Sequence, residues 1–576
     1  MPHLQGTARD AVLHFPPTLD DYISADNPVR FLDAFVDQLD LQALGFKRAV
    51  ANPLGRPAYS PADLLKLYLY GYLNRIRSSR SLEREAQRNV EVMWLLKKLT
   101  PDFKTIADFR KDHHALFKSV FVEFTLLCKE LELFGGELVA VDGSKFKAVN
   151  NKDRNFTQPK LQRLLGEIET KINGYLQQLE QGDKADAAEH TAPSVAASLA
   201  ASDPSNADKR EQLPAKIAHL QQRQGRYRAL LKTLQESGET QISLTDPDSR
   251  SMPKNPKVPV GYNVQAAVDS KHSLIVEQEV TNAVTDQDQL SPIALLAKEM
   301  LGVKRLEVVA DRGYYHGAQV KKCADKGITC YIEKPLTSAN TKQGLYGKEK
   351  FTYNSQQDCY VCPAGQELTF HFETTESNRR IRYYWTTACR TCPLKAQCTR
   401  GSDPRRITRW VDEYLLEAMQ ERVRAHPEKL QQRKKMVEHP FGTLKHWWGH
   451  SHFLMRGLKK VRGEFSLSAL AYNLRRVLNI VGVKALLQAL RNRPRTTPTP
   501  APTASTGLKD SFWQWPHGLP YRNCEAVPVA TVHSPLFHTV SRCSRLPTVR
   551  FASLRQRLNS VVSPSRAVNG VLRYHL

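Results

Sequence analysis

LVAVDGSKFK, residues 138–147, runs four apolar residues straight into Asp142 and then into a polar, lysine-bearing stretch. LEVVADRGYY, residues 306–315, repeats the pattern and delivers Asp311. Apolar runs of this length, bounded by polar residues, read as buried strands. One acid at a strand end usually caps a turn, so the first stretch alone decides little. Between the two lie GYNVQAAVD (261–269) and SLIVEQEV (273–280), separated by a short polar turn at Ser270 to His272, which predicts a hairpin. Helix-like QLSPIALLAKEML precedes the second acidic strand, and helix-like HGAQVKKCADKG and the short strand ITCYIE follow it. The order strand, hairpin, helix, strand, helix, strand predicts an α/β fold, a mixed sheet flanked by helices.

Segments of other character surround this core. Residues 1–130 read as a helical domain: SADNPVRFLDAFVDQLDL opens on Ser24, and SPADLLKLYLYGYLNRI opens on Ser60 and Pro61 before a periodic apolar run. A core spanning 131–480 is interrupted twice. The first interruption, at 155–240, carries two Leu- and Gln-rich helical stretches, with an Ala-, Ser- and Asp-rich segment at 182–208 between them, and predicts an antiparallel helical hairpin. The second, at 350–402, holds five cysteines. Beyond residue 490 a Pro/Thr/Ala linker leads into an Arg-rich tail, 491–576, expected to be disordered and basic.

The formal net charge is +25, with 83 Lys and Arg against 58 Asp and Glu. A surplus of that size implies a polyanionic partner, nucleic acid first and an anionic membrane surface second. No run of about eighteen apolar residues appears and the first residues lack the apolar core of a signal peptide, so a soluble, cytoplasmic, nucleoid-associated protein is expected.

The chemistry follows from residue types. In EKLQQRKKMVEHPFGTLKHWW (428–448), Glu438 sits in a basic helical stretch that Pro440 should end or kink. Two strand-end aspartates and a helical glutamate, Asp142, Asp311 and Glu438, can hold a pair of divalent cations that clamp the attacking and leaving oxygens of a phosphate displacement. Without metal the same carboxylates repel one another, which argues against a purely structural role. DCYVCPAG (358–365) and ACRTCPLKAQCTR (388–400) give CxxC and CxxCx5C, five thiols for the four places of a structural zinc site.

Taken together, these words resemble a bacterial insertion-sequence transposase of the DDE type, most closely the IS1182-like group. The resemblance rests on GRPAYSPADLLKLYLYGYLNRIRSSRSLE, PDFKTIADFRK, VAVDGSKFKAVN, LTDPDSRSM, GYNVQAAVD, VVADRGYY, VEHPFGTLKHWWG and RGLKKVRGEFSLSALAYNLRRV, in order over about residues 20–480. It implies an RNase H-like catalytic core around a five-stranded mixed sheet, with an N-terminal all-α DNA-binding domain and a zinc-ribbon-like cysteine insertion. It assigns Asp142, Asp311 and Glu438 to two Mg2+ (or Mn2+) ions. It also selects Cys362, Cys389, Cys392 and Cys398 for Zn2+, with Cys359 as spare or substitute. Relatives carry a Tyr, an Arg and a Lys around the glutamate; here Lys445 fits, while Lys434 stands in the place of the Arg and Gln431 in that of the Tyr. Lys145, Lys147, Arg312, Lys434, Lys445 and Arg456 are the expected DNA contacts.

The expected activity is cleavage at the element's terminal inverted repeats and joining of the freed 3′-hydroxyl to target DNA, by at least a dimer. Two alternatives stand beside it: a transposase relic that binds DNA through a zinc-bearing fold without cutting, and a nuclease with the same core that cuts without joining. Asp246 and Asp248 read as loop or capping residues, with Arg250 and Tyr262 as DNA-contact candidates. His439 reads as a surface hydrogen-bonding residue, and core packing is favoured over base stacking for Trp447 and Trp448.

Overall fold

The computed structural model describes residues 18–50, 57–189, 212–252, 260–335 and 338–493. The expectations for the first 17 residues, for most of the hairpin tip and for the tail past 493 lie outside these. Six helices come first: α1 (Pro28–Gln38), α2 (Pro61–Leu73), α3 (Ser79–Arg88), α4 (Val90–Leu95), α5 (Phe103–Asp112) and α6 (Phe117–Glu130). Their starts are written locally. Asn27, Ser60 and Asp102 each accept a backbone N–H of the first turn, and Pro28 and Pro61 occupy positions where a missing N–H costs nothing. α2 is buried on nearly every face, and its Lys66 is neutralised by Asp33 at 2.7 Å and Asp37 at 2.6 Å.

The central sheet begins with β1 (Leu138–Lys147). β2 (Asn155–Thr157) pairs with β3 (Gln241–Ser243) at the foot of the helical arm formed by α7 (Gln158–Glu189) and α8 (Leu213–Ser237). The arm is closed by Ile168, Ile172, Ile217 and Leu220. Then come β4 (Arg250–Ser251), β5 (Val260–Asp269), β6 (Ile275–Thr281), α9 (Leu290–Leu301), β7 (Leu306–Ala310), α10 (Gly317–Asp325) and β8 (Ile328–Ile332). The strand order is β4–β5–β1–β7–β8, with β6 also on β5. β1 is antiparallel to β5 and parallel to β7, and β7 is parallel to β8. The fold is therefore mixed α/β, with the predicted hairpin and alternation in place, and the sheet has six strands rather than the expected five because the two-residue β4 also pairs with β5.

A five-stranded antiparallel sheet follows, made of β9 (Thr352–Asn354), β10 (Cys359–Val361), β11 (Glu367–Glu376), β12 (Arg379–Trp385) and β13 (Ile407–Trp410). Its small core is Phe351, Tyr360, Leu368, Tyr384 and Ile407. The chain then returns through α11 (Glu413–Ala425), α12 (Pro427–Gly442), α13 (Leu458–Val481) and α14 (Val483–Asn492); the single turns at Ala339–Lys342 and Lys395–Cys398 are left unnumbered. Pro440 does not end its helix near Glu438, as the sequence suggested. α12 runs through it to Gly442 and passes into a π-turn, Thr443–Trp447, a wider turn of the kind that accommodates a helix interruption.

α13 joins the halves. Asn473 bonds both backbone groups of Ile275 at the start of β6, and Gln278 of β6 donates to Ser466. On the other side α13 packs on α2 and α6, so the first helices and the sheet share one continuous core. The approach is close enough that a Cβ on Gly463 would overlap the carbonyl oxygen of His114. Backbone cannot give way as a side chain can, so Gly463→Ala is expected to destabilise the protein by about 3 kcal/mol. Gly166 of α7 has open space around it, and Gly166→Ala should leave the urea midpoint unchanged or raised.

Candidate active site

Strand alternation sets the site. Val139 and Val141 of β1 lie beside Val308 and Ala310 of β7 in parallel register, so Asp311, just past the end of β7, comes beside Asp142, which lies within β1 and is still paired with β5 rather than standing at a strand end as the sequence suggested. Parallel β7 ends here, while β1 runs on against antiparallel β5 to Lys147, so one side of β1 loses its neighbour beyond Val141. Asp311 caps the short turn Arg312–Tyr314 by accepting the Gly313 N–H at 2.8 Å. Burial pushes the Asp142 carboxyl up to about 6; Arg433 opposes this, and Asp311 and Asp286 add to it. Arg433 of α12 stands 3.6 Å from Asp142.

The face of β1 that carries Asp142, Ser144 and Phe146 looks at α12 and α13. Phe146 packs on Phe441 and Phe465, and Lys445 donates to Ser144 Oγ and to the Lys145 carbonyl, both at 2.6 Å. Burial lowers Lys445 to about 8, with Asp142 acting against the shift. The opposite face, carrying Gly143 and Lys145, looks at the loop before α9, where Asp286 pairs with Lys145 at 3.1 Å. A groove of ≈ 650 Å³ opens beside Asp311, walled by Arg312, Glu333, Gln431, Arg433 and Lys434.

Asp142 and Asp311 are thus brought together, and Glu438 is not. It is exposed on α12, and among the described residues no group of three or more His, Cys, Asp or Glu is close enough to hold an ion as it stands. Helix phase explains this. Met436, Val437 and Phe441 point into the core and Arg433 points at Asp142, while a residue five positions on is turned by about 140°. Of the expected DNA contacts, Lys445 and Lys145 flank the acids in ion pairs and hydrogen bonds. Lys147, Lys434 and Arg456 are exposed, and exposed Arg312 pairs with Glu333. Sequence reading missed Arg433, one residue before the position compared with the relatives, and Asp286, which nothing in its polar loop sets apart.

The other candidates sort by contact. Asp246 and Asp248 accept the backbone N–H groups of Gly457 and Leu458 at the start of α13, a capping role as expected. Tyr262 is buried and donates to Asp246, and Arg250 pairs with Glu239, so neither is a free DNA contact. His439 is exposed and hydrogen-bonded to Tyr472 and Arg476 of α13, a surface hydrogen-bonding residue as expected. Trp448 is 8% exposed and packed on His450, but Trp447 is 74% exposed, against the expectation of core packing. Beside the second sheet, Cys362, Cys389, Cys392 and Cys398 line one small pocket of ≈ 20 Å³. Burial raises the Cys398 thiol, with Arg405 acting against the shift, and the other three thiols raise it further. Cys359 stands outside this pocket, buried in β10.

Comparison with known proteins follows this geometry. Residues 361–478 match a family described as "Transposase DDE domain", and residues 17–112 match "Transposase domain (DUF772)". The first match begins within the cysteine segment, after Cys359, and runs over Glu438 and most of α13; it does not reach the helical arm, Asp142 or Asp311. No curated protein matches the chain. A solved structure, the cryo-EM piggyBac transposase synaptic complex with hairpin DNA, aligns over 81% of this chain and 79% of that one at 9% identity and a TM-score of 0.28, too weak a likeness to bear on the argument. The two matched segments, at the helical start and in the later core, indicate a DDE-type insertion-sequence transposase, and their pairing is consistent with the IS1182-like group.

Gly143, next to Asp142, has no room for a side chain: a Cβ would come within 2.5 Å of Gln265 Nε2 and 2.6 Å of Asp286 Oδ1. Gly143→Ala is therefore expected to lower stability by about 1–3 kcal/mol in urea unfolding.

Proposed function

We propose that this transposase cuts DNA at the ends of its element and joins the freed 3′-hydroxyl to target DNA, on a core of RNase H-like topology. The observation that carries the reading is the nearness of Asp142, within β1, and Asp311, just past the end of parallel β7, next to a groove walled by cations. The order β6–β5–β1–β7–β8, antiparallel and then parallel, supports the same topology. The aspartates are hard oxygen donors, and the burial and crowding that raise Asp142 are relieved by a cation, so the pair fits Mg2+ or Mn2+. When bound, such ions stabilise charge on the attacking and departing oxygens. Glu438, which the resemblance assigns as the third donor, stands apart from the pair and is tested separately.

In the first step a water oxygen bonds to phosphorus, the bond to the 3′ oxygen breaks, and that oxygen leaves as a hydroxyl with the proton the water gives up. In the second step the new 3′-hydroxyl oxygen attacks a target phosphorus, a target 3′-hydroxyl departs, and the proton passes to it through solvent. Arg433, Lys434, Lys445, Arg312, Lys147 and Arg456 hold and orient phosphates around the acids, by attraction and by release of counterions. The helical segment 1–130 reads the element's ends, since a bundle can present a helix to the major groove. Both ends are cut together by a dimer or larger assembly, at the nucleoid.

A cleavage and strand-transfer assay on duplexes carrying the DNA that flanks this reading frame, with Mg2+ or EDTA, tests the reading. Asp142→Asn, Asp311→Asn and Glu438→Gln should each lower product formation on the order of 10³-fold or more while leaving binding intact. Unchanged cleavage by the aspartate variants would sink the assignment. The exposed position of Glu438 favours the binding-only relic as second reading, and binding without cleavage by the wild type would select it.

The four thiols that line one small pocket are the soft donors Zn2+ takes, though as they stand they are not close enough to hold it; drawn together on an ion they would close the insertion as a zinc-ribbon-like module with no position left for a water. Metal analysis of protein purified under reducing conditions should find zinc. Cys362→Ser and Cys392→Ser should lose it, and Cys359→Ser should retain it; zinc lost only from the Cys359 variant would reverse the choice of ligands.

A further inference from the structure

Asp286 is the carboxylate that neither the sequence pattern nor the proposed chemistry uses, yet it touches more of the site than any other acid. It lies in the loop between β6 and α9. Its Oδ1 accepts from Lys145 Nζ at 3.1 Å, from Asn263 Nδ2 at 2.6 Å and from Gln265 Nε2 at 2.9 Å. Gln265 in turn accepts the hydroxyl of Tyr314, which is buried on the turn that follows Asp311. Gln265 and Asn263 come from β5, Lys145 lies three residues past Asp142 on β1, and Gly143 is packed beneath the whole group. One run of hydrogen bonds therefore braces β1 just past Asp142 and the turn just past Asp311, and Asp286 is the point where it meets a charge.

We propose that Asp286 is a positioning residue for DNA cleavage: it holds the Lys145 ammonium at the edge of the site, on the face of β1 opposite Asp142, ready to take a phosphate oxygen of the strand being cut. The proposal deepens the function given above and rests on it. Lys145 is 16% exposed and Asp286 24%, so the pair is shielded yet open on one side. A lysine free in solvent would bind phosphate equally well in many orientations. Held by a carboxylate that is itself fixed by two amides, it has one direction left. Arriving phosphate replaces Asp286 as the partner of an ammonium already in place, so the ordering cost is met before DNA binds.

Two readouts on the full-length protein test this. In cleavage assays Asp286→Asn and Lys145→Met should each lower kcat roughly 10- to 100-fold with KM for DNA little changed, as misplacement near reacting atoms does. The double variant should be no slower than the worse single one; multiplied losses, or an Asp286→Asn enzyme with wild-type kcat, would overturn the proposal. Urea midpoints of all three variants identify any loss that is only unfolding. The second readout needs no activity: acetylation of Lys145 by an amine-reactive reagent, followed by mass spectrometry with and without the flanking duplex. In the wild type Lys145 should react slowly and more slowly still with DNA. In Asp286→Asn it should react faster and lose the protection by DNA; equal labelling in the two proteins overturns the proposal. Cleavage that survives Asp142→Asn would instead remove the function reading, and the labelling would still decide the role of Asp286.

Discussion

A carboxylate buried at the junction of three parts of the chain, that of Glu464, is the constraint on which the arrangement depends. It is 1% exposed, and burial raises it above the usual carboxylate range. A bare charge in that position would cost several kcal/mol. It is met instead by the backbone N–H groups of Leu454 and Met455 at 2.9–3.0 Å, and by Arg77 at 3.6 Å. Arg77 comes from the loop before α3 and also donates to the carbonyls of His452 and Gly449, while Arg110 of α5 donates to the Arg77 carbonyl. The first helices, the loop after the π-turn and α13 are thereby tied at one point.

The tie reaches the candidate site through that loop. Lys147, at the end of β1, donates its N–H to the Ser451 carbonyl and accepts the N–H of Phe453, so residues 451–453 lie along the strand that carries Asp142. The π-turn just before them sets Lys445 against Ser144. Because Arg77 holds this loop from the helical side, a change at that side is transmitted to Lys445 by covalent continuity and a few hydrogen bonds. Coupling between the part proposed to read DNA ends and the part proposed to cut them has a physical carrier here.

How much of this was legible in the sequence varies with the kind of signal. The nearness of Asp142 and Asp311 was legible because an apolar run meeting a charge is a local pattern, and the parallel pairing of β1 with β7 turns it into proximity, but β1 runs on past Asp142 to Lys147 instead of ending there. The convergence of Cys362, Cys389, Cys392 and Cys398 in one cavity was legible from spacing and resemblance together. Helix phase was not. Whether Arg433, Lys434 or Glu438 faces the site depends on how Met436, Val437 and Phe441 seat in a core built from distant segments, and one residue turns the helix by about 100°. Asp286 was illegible for a related reason: its partners lie on β1 and β5, far away along the chain, and its own loop is polar throughout. The fates of Trp447 and Trp448 were likewise set by the π-turn, which gives neighbouring residues opposite exposures.

The placement of α13 has a consequence for synthesis. Ribosomes deliver the first helices and the sheet strands long before Leu458, yet Asn473, Gln278's partner Ser466 and Glu464 all belong to this late helix. Until it emerges, β6 lacks the amide that closes its first residue, and Arg77 lacks its carboxylate. A product shortened by a nonsense codon or a frameshift before Leu458 therefore carries an incomplete core and exposed apolar faces on α2 and α6. Such a product is open to proteolysis and aggregation, because its apolar faces have nothing to pack against.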